Sequence, residues 1–349
     1  FLQKVTQMSA EKPPLGYVAR TILPGDGPDP NNGRLERDKE TRDSDDPLWK
    51  VYENRWPKTL DGKWYWKSDT SSDELDGHYF FYPLYYDLVA ETEEERDEVR
   101  EVVRDLTDHL IANDYHLVDH DGTPTRWGVF GPEALNKDPN WWVERGLNSL
   151  SALSYLAVAG HVTGDSKYAL ESKRLCEEHG YLNNIMFNKF QFGPGSGNQS
   201  DDEMAFMNFY NVMRYSKDEM IKRQVYMSFY SAWILEQPEI NPFFDFCFAA
   251  FGCAEDSDNA PNPYGLLIWD GWLEDSLSVL CDFPMDRVDW GHTNSHRTDI
   301  IRLGKQQTTD PFSRHQGNRG HRSNGKVLPV SERYFSHWNT DPWQLDYPG

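Results

Sequence analysis

Three stretches of this chain gather side chains that can move protons or hold charge. The first is Asp69-Thr70-Ser71-Ser72-Asp73-Glu74, followed by Gly77-His78. It opens a helix, and a helix N-terminus favours negative charge, so Asp73 and Glu74 can stay ionised there. His78 falls four residues after Glu74, on the same helical face. The second stretch, residues 193–203, is a Gly-, Ser- and Asn-rich loop ending in Asp201-Asp202-Glu203. It too leads acids into a helix. Two acid-opened helices facing one another across a ring would suit glycoside hydrolysis. One carboxyl protonates the leaving oxygen and the other activates water, at roughly 6.5–9.5 Å separation when configuration inverts. Asp73, Glu74, Asp202 and Glu203 are therefore the candidate catalytic acids. Both clusters are equally good helix caps, because Ser and Asp accept from free backbone N–H groups and Glu belongs in the first turn.

The third stretch is Asp289-Trp290-Gly291-His292-Thr293-Asn294-Ser295-His296-Arg297. His296 as a base, with Asn294 and Arg297 neutralising a carboxylate, would suit abstraction of a uronate C5 proton, as in a polysaccharide lyase. His292 and His296 have HxxxH spacing, but Gly291 and Asn294 argue against the regular helix a metal pair needs, and no metal or cofactor is expected. The same residues could simply pin a loop. Supporting candidates for substrate binding are His78, Arg126, Trp127, Trp141, Trp142, Asn148, Asp270, Trp290, Asn294 and Arg297. The tryptophans stand beside Gly, Asp, Asn and Pro, where a flat ring can stack on the C–H face of a pyranose. Each could instead be ordinary core packing. The glycine loop at 193–197 is not a phosphate loop, since no Gly-Lys-Ser/Thr follows it.

Helices must position these groups. Ser71 with Glu74 fits a capping box, and so does Thr92 with Glu95. The helix opened by Ser71 is apolar nearly all round through Leu88, which predicts full burial, with a kink at Pro83. The helix after Thr92 carries one stripe, Val99, Val102, Val103, Leu106 and Leu110, and a charged outer face. Buried and amphipathic helices then alternate over about 147–162, 166–179, 202–215, 217–235, 242–251 and 272–281. This pattern predicts an all-α (α/α) toroid of helical hairpins, six-hairpin-like and incomplete as counted. Residues 116–125 read as a short β-hairpin turning at Asp121-Gly122. Residues 1–68, rich in Pro, Gly, Asp and Asn, read as an extended N-terminal arm, with a strand or hairpin over 56–66. The toroid is expected over 69–285. A C-terminal tail, 286–349, is expected to wrap it, all within one domain.

Composition sets limits. The net charge is −22 over 349 residues, which disfavours nucleic acid and anionic membranes as partners, since both need clustered Lys and Arg. Arg297, Arg302, Arg314, Arg319 and Arg322 form the one late basic cluster. No apolar run reaches the roughly 20 residues of a membrane span. Aromatics make up 14% of the chain, with 13 Trp. Cys176, Cys247, Cys253 and Cys281 form no CxxC pair. Four free thiols are the first expectation and two disulfides the second. Phe1 is not a start residue, so a processed or partial chain is expected, with room for further domains or assembly partners outside it.

At these stretches the sequence resembles secreted bacterial proteins of the six-hairpin glycosidase type. The likeness is carried by residues 67–74, 123–128, 144–150, 200–203, 294–297 and 338–342, and spans most of 60–345. It implies an α/α toroid and an extracellular, glycan-related role with an oligo- or polysaccharide as partner. It carries no catalytic assignment, so the roles above rest on the residues alone. The leading expectation is a glycoside hydrolase. A uronate-directed lyase and a non-catalytic glycan-binding or surface protein are the alternatives.

Overall fold

The computed structural model describes residues 1–188, 199–237, 241–253, 262–282, 300–303 and 319–322. The chain divides into two compact units. The first holds Phe1–Asn188 with Met207–Val225, and the second holds Lys189–Phe206 with Tyr226–Gly349. Among the described residues the chain is mostly helical, with short two-stranded sheets.

In the first unit the N-terminal segment carries α1 (Lys4–Gln7), β1 (Ile22–Pro24), α2 (Arg34–Ser44) and β2 (Trp64–Trp66). β1 and β2 pair antiparallel, with Ile22 opposite Trp66. This differs from an extended arm. Val5, Tyr17, Val18, Ala19, Tyr52, Tyr65 and Trp66 are all buried, so the segment contributes core. The helix α2 is polar all round, and its one buried residue is Asp38. An ion pair, not an apolar stripe, holds it down.

Two helices start where the sequence places them. α3 (Ser72–Leu88) and α4 (Glu93–Ala112) both begin with complete capping boxes, from Ser71 to Glu74 and from Thr92 to Glu95. α4 buries Val99, Val103, Leu106 and Leu110 of the expected stripe, and Val102 is half-buried. α3 departs from expectation. It runs through Pro83 and buries only Ser72, Leu75, Asp76, Tyr79 and Pro83, while Phe81 and Leu88 are 57% and 76% exposed. Its apolar residues outnumber those that one face can cover.

β3 (His116–Val118) and β4 (Pro124–Val129) form the expected hairpin. Gly122 takes a left-handed φ of 75° at its turn, a conformation that glycine adopts without steric cost. Asp121 steadies the turn by accepting from the Thr123 backbone N–H and hydroxyl. After α5 (Pro132–Lys137) comes α6 (Arg145–Thr163), buried over most of its surface. It packs on α3, α4 and α7 (Lys167–His179). Gly146 lets the Phe187 carbonyl approach so closely that a Cβ would collide with it. The Tyr155 ring stacks on Tyr79 with centroids 4.0 Å apart. Burying each large apolar side chain here contributes about 1.5–3 kcal/mol. The short α8 (Tyr181–Asn184) follows α7.

α9 (Gln199–Tyr215) and α10 (Glu219–Glu236) carry residues of both units. In the second unit, α11 (Pro242–Gly252) packs on α12 (Trp272–Asp282). Its core is a ring cluster. Phe206 meets Phe244 at 4.5 Å, Phe229 meets Phe248 at 5.1 Å, and Trp233 stacks on Phe248 at 4.8 Å. Asp245 accepts from the Trp233 indole N–H and the Ser276 hydroxyl. Much of the aromatic content is therefore packing. β5 (Ile300–Leu303) and β6 (Arg319–Arg322) pair antiparallel. All four cysteines are free thiols. Among the described residues no helix is long and apolar enough to cross a membrane.

Candidate functional site

The first turn of α3 holds an exposed and a restrained carboxylate side by side. The Ser71 hydroxyl lies 2.7 Å from both Asp73 Oδ2 and Glu74 Oε2 and donates to one of them at a time. Glu74 Oε2 also accepts from the Ser71 backbone N–H at 2.7 Å. Its other oxygen pairs with Arg20 Nε at 3.0 Å. Arg20 is held in turn by the Asp69 carbonyl at 3.2 Å. Asp73 remains exposed. One turn on, His78 stacks against Tyr82 at 5.5 Å. Burial lowers its pKa, which favours the neutral imidazole.

Beneath this surface turn lies a carboxyl that sequence reasoning passed over. Asp76 is fully buried on the face of α3 that meets α6. It accepts from the Tyr155 hydroxyl at 2.5 Å, with the Ser151 hydroxyl at 3.5 Å and Asn208 also contributing. Desolvation outweighs these neutral donors, and its pKa is pushed up to about 7. Asn208 donates to Ser151, and Asn211 donates to Ser154 and the Tyr79 carbonyl. The side-chain oxygens of Asn148, Asn208 and Asn211 are buried without partners. The available signal was that Asp76 falls between Leu75 and Tyr79 on the buried stripe, where an acid is out of place.

Several candidates turn out to hold the fold together. Arg126 is buried and grips Asp46 with Nε at 2.6 Å and a second nitrogen at 3.2 Å, while its guanidinium covers the Trp127 ring at 3.7 Å. A pair so enclosed is not presented to a substrate. Trp141 is buried with its ring edge against Trp127. Asn148 is buried and donates to the Val129 carbonyl at 3.0 Å. Trp127 and Trp142 are half-buried. Asp69, in the first acid stretch, is buried and bound by Arg55 Nη1 at 2.9 Å and the Arg126 backbone N–H at 2.8 Å. In the second unit Asp202 is buried, Glu203 half-buried and Asp270 exposed beside the exposed Trp269. Trp290, Asn294, His296 and Arg297 lie outside the described residues, as does the loop over 189–198.

Among the described residues no group of three or more His, Cys, Asp or Glu side chains could hold a metal ion. A surface depression is lined by Asp108, Ile111, Ala112, Lys167, Leu170 and Glu171, none of them a candidate acid, and its Lys167 is already paired with Asp108 at 2.8 Å. Compared with protein-family models, with curated proteins and with solved structures, the chain finds no match in any of the three.

Proposed function

We propose that this chain is an extracellular carbohydrate-active protein, a glycoside hydrolase whose acid chemistry is supplied at the first turn of α3. The observation that carries this reading is the pair at that turn: an exposed Asp73 beside a Glu74 oriented by Ser71 and Arg20. Such a pair offers one carboxyl free to meet a sugar and one held in a defined geometry. Preorganised groups of this kind contribute to proton transfer because little reordering is needed at the moment of reaction. In this reading the helical pairs belong to an α/α toroid, and half-buried rings such as Trp127 and Trp142 stand near the sugar path.

A second reading has its own support. Glu74 is fully used as a capping residue and ion-pair partner, as it would be in a non-catalytic glycan-binding protein.

One experiment separates them. Reducing-end release is followed on a broad glycan panel with the wild type and with Asp73→Asn, Glu74→Gln, Asp202→Asn and Glu203→Gln. Loss of a general acid or base lowers turnover by about 10²–10⁴-fold. For Glu74→Gln the melting temperature should fall only slightly, because the amide oxygen can still accept at the cap while the partly exposed pair with Arg20 is lost. Turnover unchanged in all four variants rejects the acid assignment. Binding without turnover selects the second reading. An ultraviolet band from unsaturated uronate, in place of plain reducing ends, moves the chemistry to a lyase.

A further inference from the structure

A chain with a net charge of −22 nonetheless gathers four cations beside the first turn of α3. Arg20, Arg34 and Arg55 all act on the ammonium of Lys67, with Glu74 opposing them. Three of the four are committed in different degrees. Arg55 is buried between Asp38 and Asp69, at 2.6 and 2.9 Å. Arg20 pairs with Glu74. Arg34 pairs with Asp38 through one terminal nitrogen at 2.8 Å, and its Nε is buried with no acceptor.

Lys67 is different. Among the described residues it makes no ion pair and its ammonium donates no hydrogen bond. Its Nζ stands 5.8 Å from the centre of the half-buried Trp56 ring. The backbone fixes its place, since its N–H donates to the Thr21 carbonyl and its carbonyl accepts from the Arg20 N–H. Half-burial and then the three guanidiniums lower its pKa. A partly desolvated ammonium among like charges is unfavourable until an anion reaches it.

We propose that Lys67, Arg34 and Arg20 with the Trp56 ring form a subsite for an acidic sugar residue, a uronate or sulfated pyranose. The sugar's C–H face lies on Trp56 and its anionic group on Lys67, with the charges of Arg34 and Arg20 adding to the attraction. The chemistry matches each part. Cations with free donors take carboxylate or sulfate oxygens in charge-assisted bonds, and a flat ring takes the apolar sugar face. The Arg20–Glu74 pair joins this subsite to the α3 acids. The inference rests on the carbohydrate reading above and gives it a substrate class.

The test is titration calorimetry on the full chain. The probes are an oligogalacturonate, a sulfated galactan oligosaccharide, a neutral galactan oligosaccharide of equal length, and inorganic phosphate. The expected result is binding of at least one acidic oligosaccharide, weakened by added salt, with the neutral one much weaker. Lys67→Gln should lower that affinity by about tenfold, the loss of one charge-assisted contact. Lys67→Arg should retain it, and Trp56→Leu should lower it for the sugars without changing the response to phosphate. The proposal is overturned if the neutral sugar binds as well, if no acidic sugar binds, if Lys67→Gln matches the wild type at an unchanged melting temperature, or if phosphate binds as tightly as the acidic sugars. Acidic binding without reducing-end release would keep the subsite and reject the hydrolase. Release from neutral glycans alone would do the reverse.

Discussion

Asp119 and Asp76 are both buried carboxyls in the first unit, and their surroundings push them in opposite directions. Burial alone would raise both. Asp119 Oδ2 accepts from the Tyr17 hydroxyl at 2.9 Å, the Tyr52 hydroxyl at 2.8 Å and the Asp69 backbone N–H at 2.7 Å. Its Oδ1 meets His120, through the backbone N–H at 2.7 Å and ring Nδ1 at 2.8 Å. The His120 and backbone donors more than offset burial and hold Asp119 below the usual carboxylate range. Asp76 has only hydroxyl and amide donors, and burial wins. What decides whether a buried carboxyl keeps its charge is the number and polarity of its donors. The first arrangement locks the N-terminal segment to the β3–β4 hairpin. The second leaves a group that titrates near neutrality.

The sharpest way to break this contrast is Asp119→Ala. It strands the donors of Tyr17, Tyr52, Asp69 and His120, and should cost about 3–5 kcal/mol in chemical denaturation. A loss below about 1 kcal/mol would show that water takes over these donors and that burial there is superficial.

The pH dependence comes next. The folded-state pKa of Asp76 is about 7, above an unfolded value of about 3.9. The native state therefore binds the extra proton between these values. This contribution to stability is complete below about pH 4, declines as pH rises towards 7, and is gone above that. It amounts to a few kcal/mol at most, on the order of one fully buried titration. Asp119 acts with the opposite sign: its contribution is present above the unfolded pKa and is lost as acid protonates it. Melting curves across pH should show the Asp76 slope in the wild type and its absence in Asp76→Asn. An identical slope in both would remove Asp76 as its source.

Tyr155→Phe tests the donors themselves. It deletes the shortest bond to Asp76 and should cost about 1–3 kcal/mol, because a buried acceptor is left under-served. It should also move the Asp76 transition to higher pH. The smallest effect belongs to the surface end of the same helix. Ser71→Ala removes the cap of α3 and should cost about 1 kcal/mol, whatever the pH around neutrality. A much larger loss would mean that Ser71 carries a packing role beyond its cap.

The features legible in the sequence were local. Ser71 with Glu74, Thr92 with Glu95 and Asp121-Gly122 each signal structure within a few residues, and each lies where those signals place it. The small and apolar run of α6 marked a buried helix correctly. α2 was missed because its sequence, rich in Arg, Asp, Glu and Lys, has no apolar stripe. Its anchor is Asp38, held by Arg34, Arg55 and the Trp49 indole. The partner of Arg126 was equally hidden, since Asp46 is 80 residues away and spacing encodes no such pairing. In the candidate site, residue types alone single out Asp73 and Glu74. Their attachment to Arg20, and the unpaired Lys67 nearby, emerge only once distant segments are folded together.

The reach of these pairings also sets an order in time. Tyr17 meets Asp119 across 102 residues, and Gln3 meets Val102 across 99. Closing such loops is entropically costly before the contacts form, so they belong late in folding. On the ribosome, Arg55 can meet Asp38, 17 residues away, well before Asp119 exists. At roughly 5–20 residues per second, the segment waits several seconds for the β3–β4 hairpin. During that interval Tyr17 and Trp66 lack their final burial.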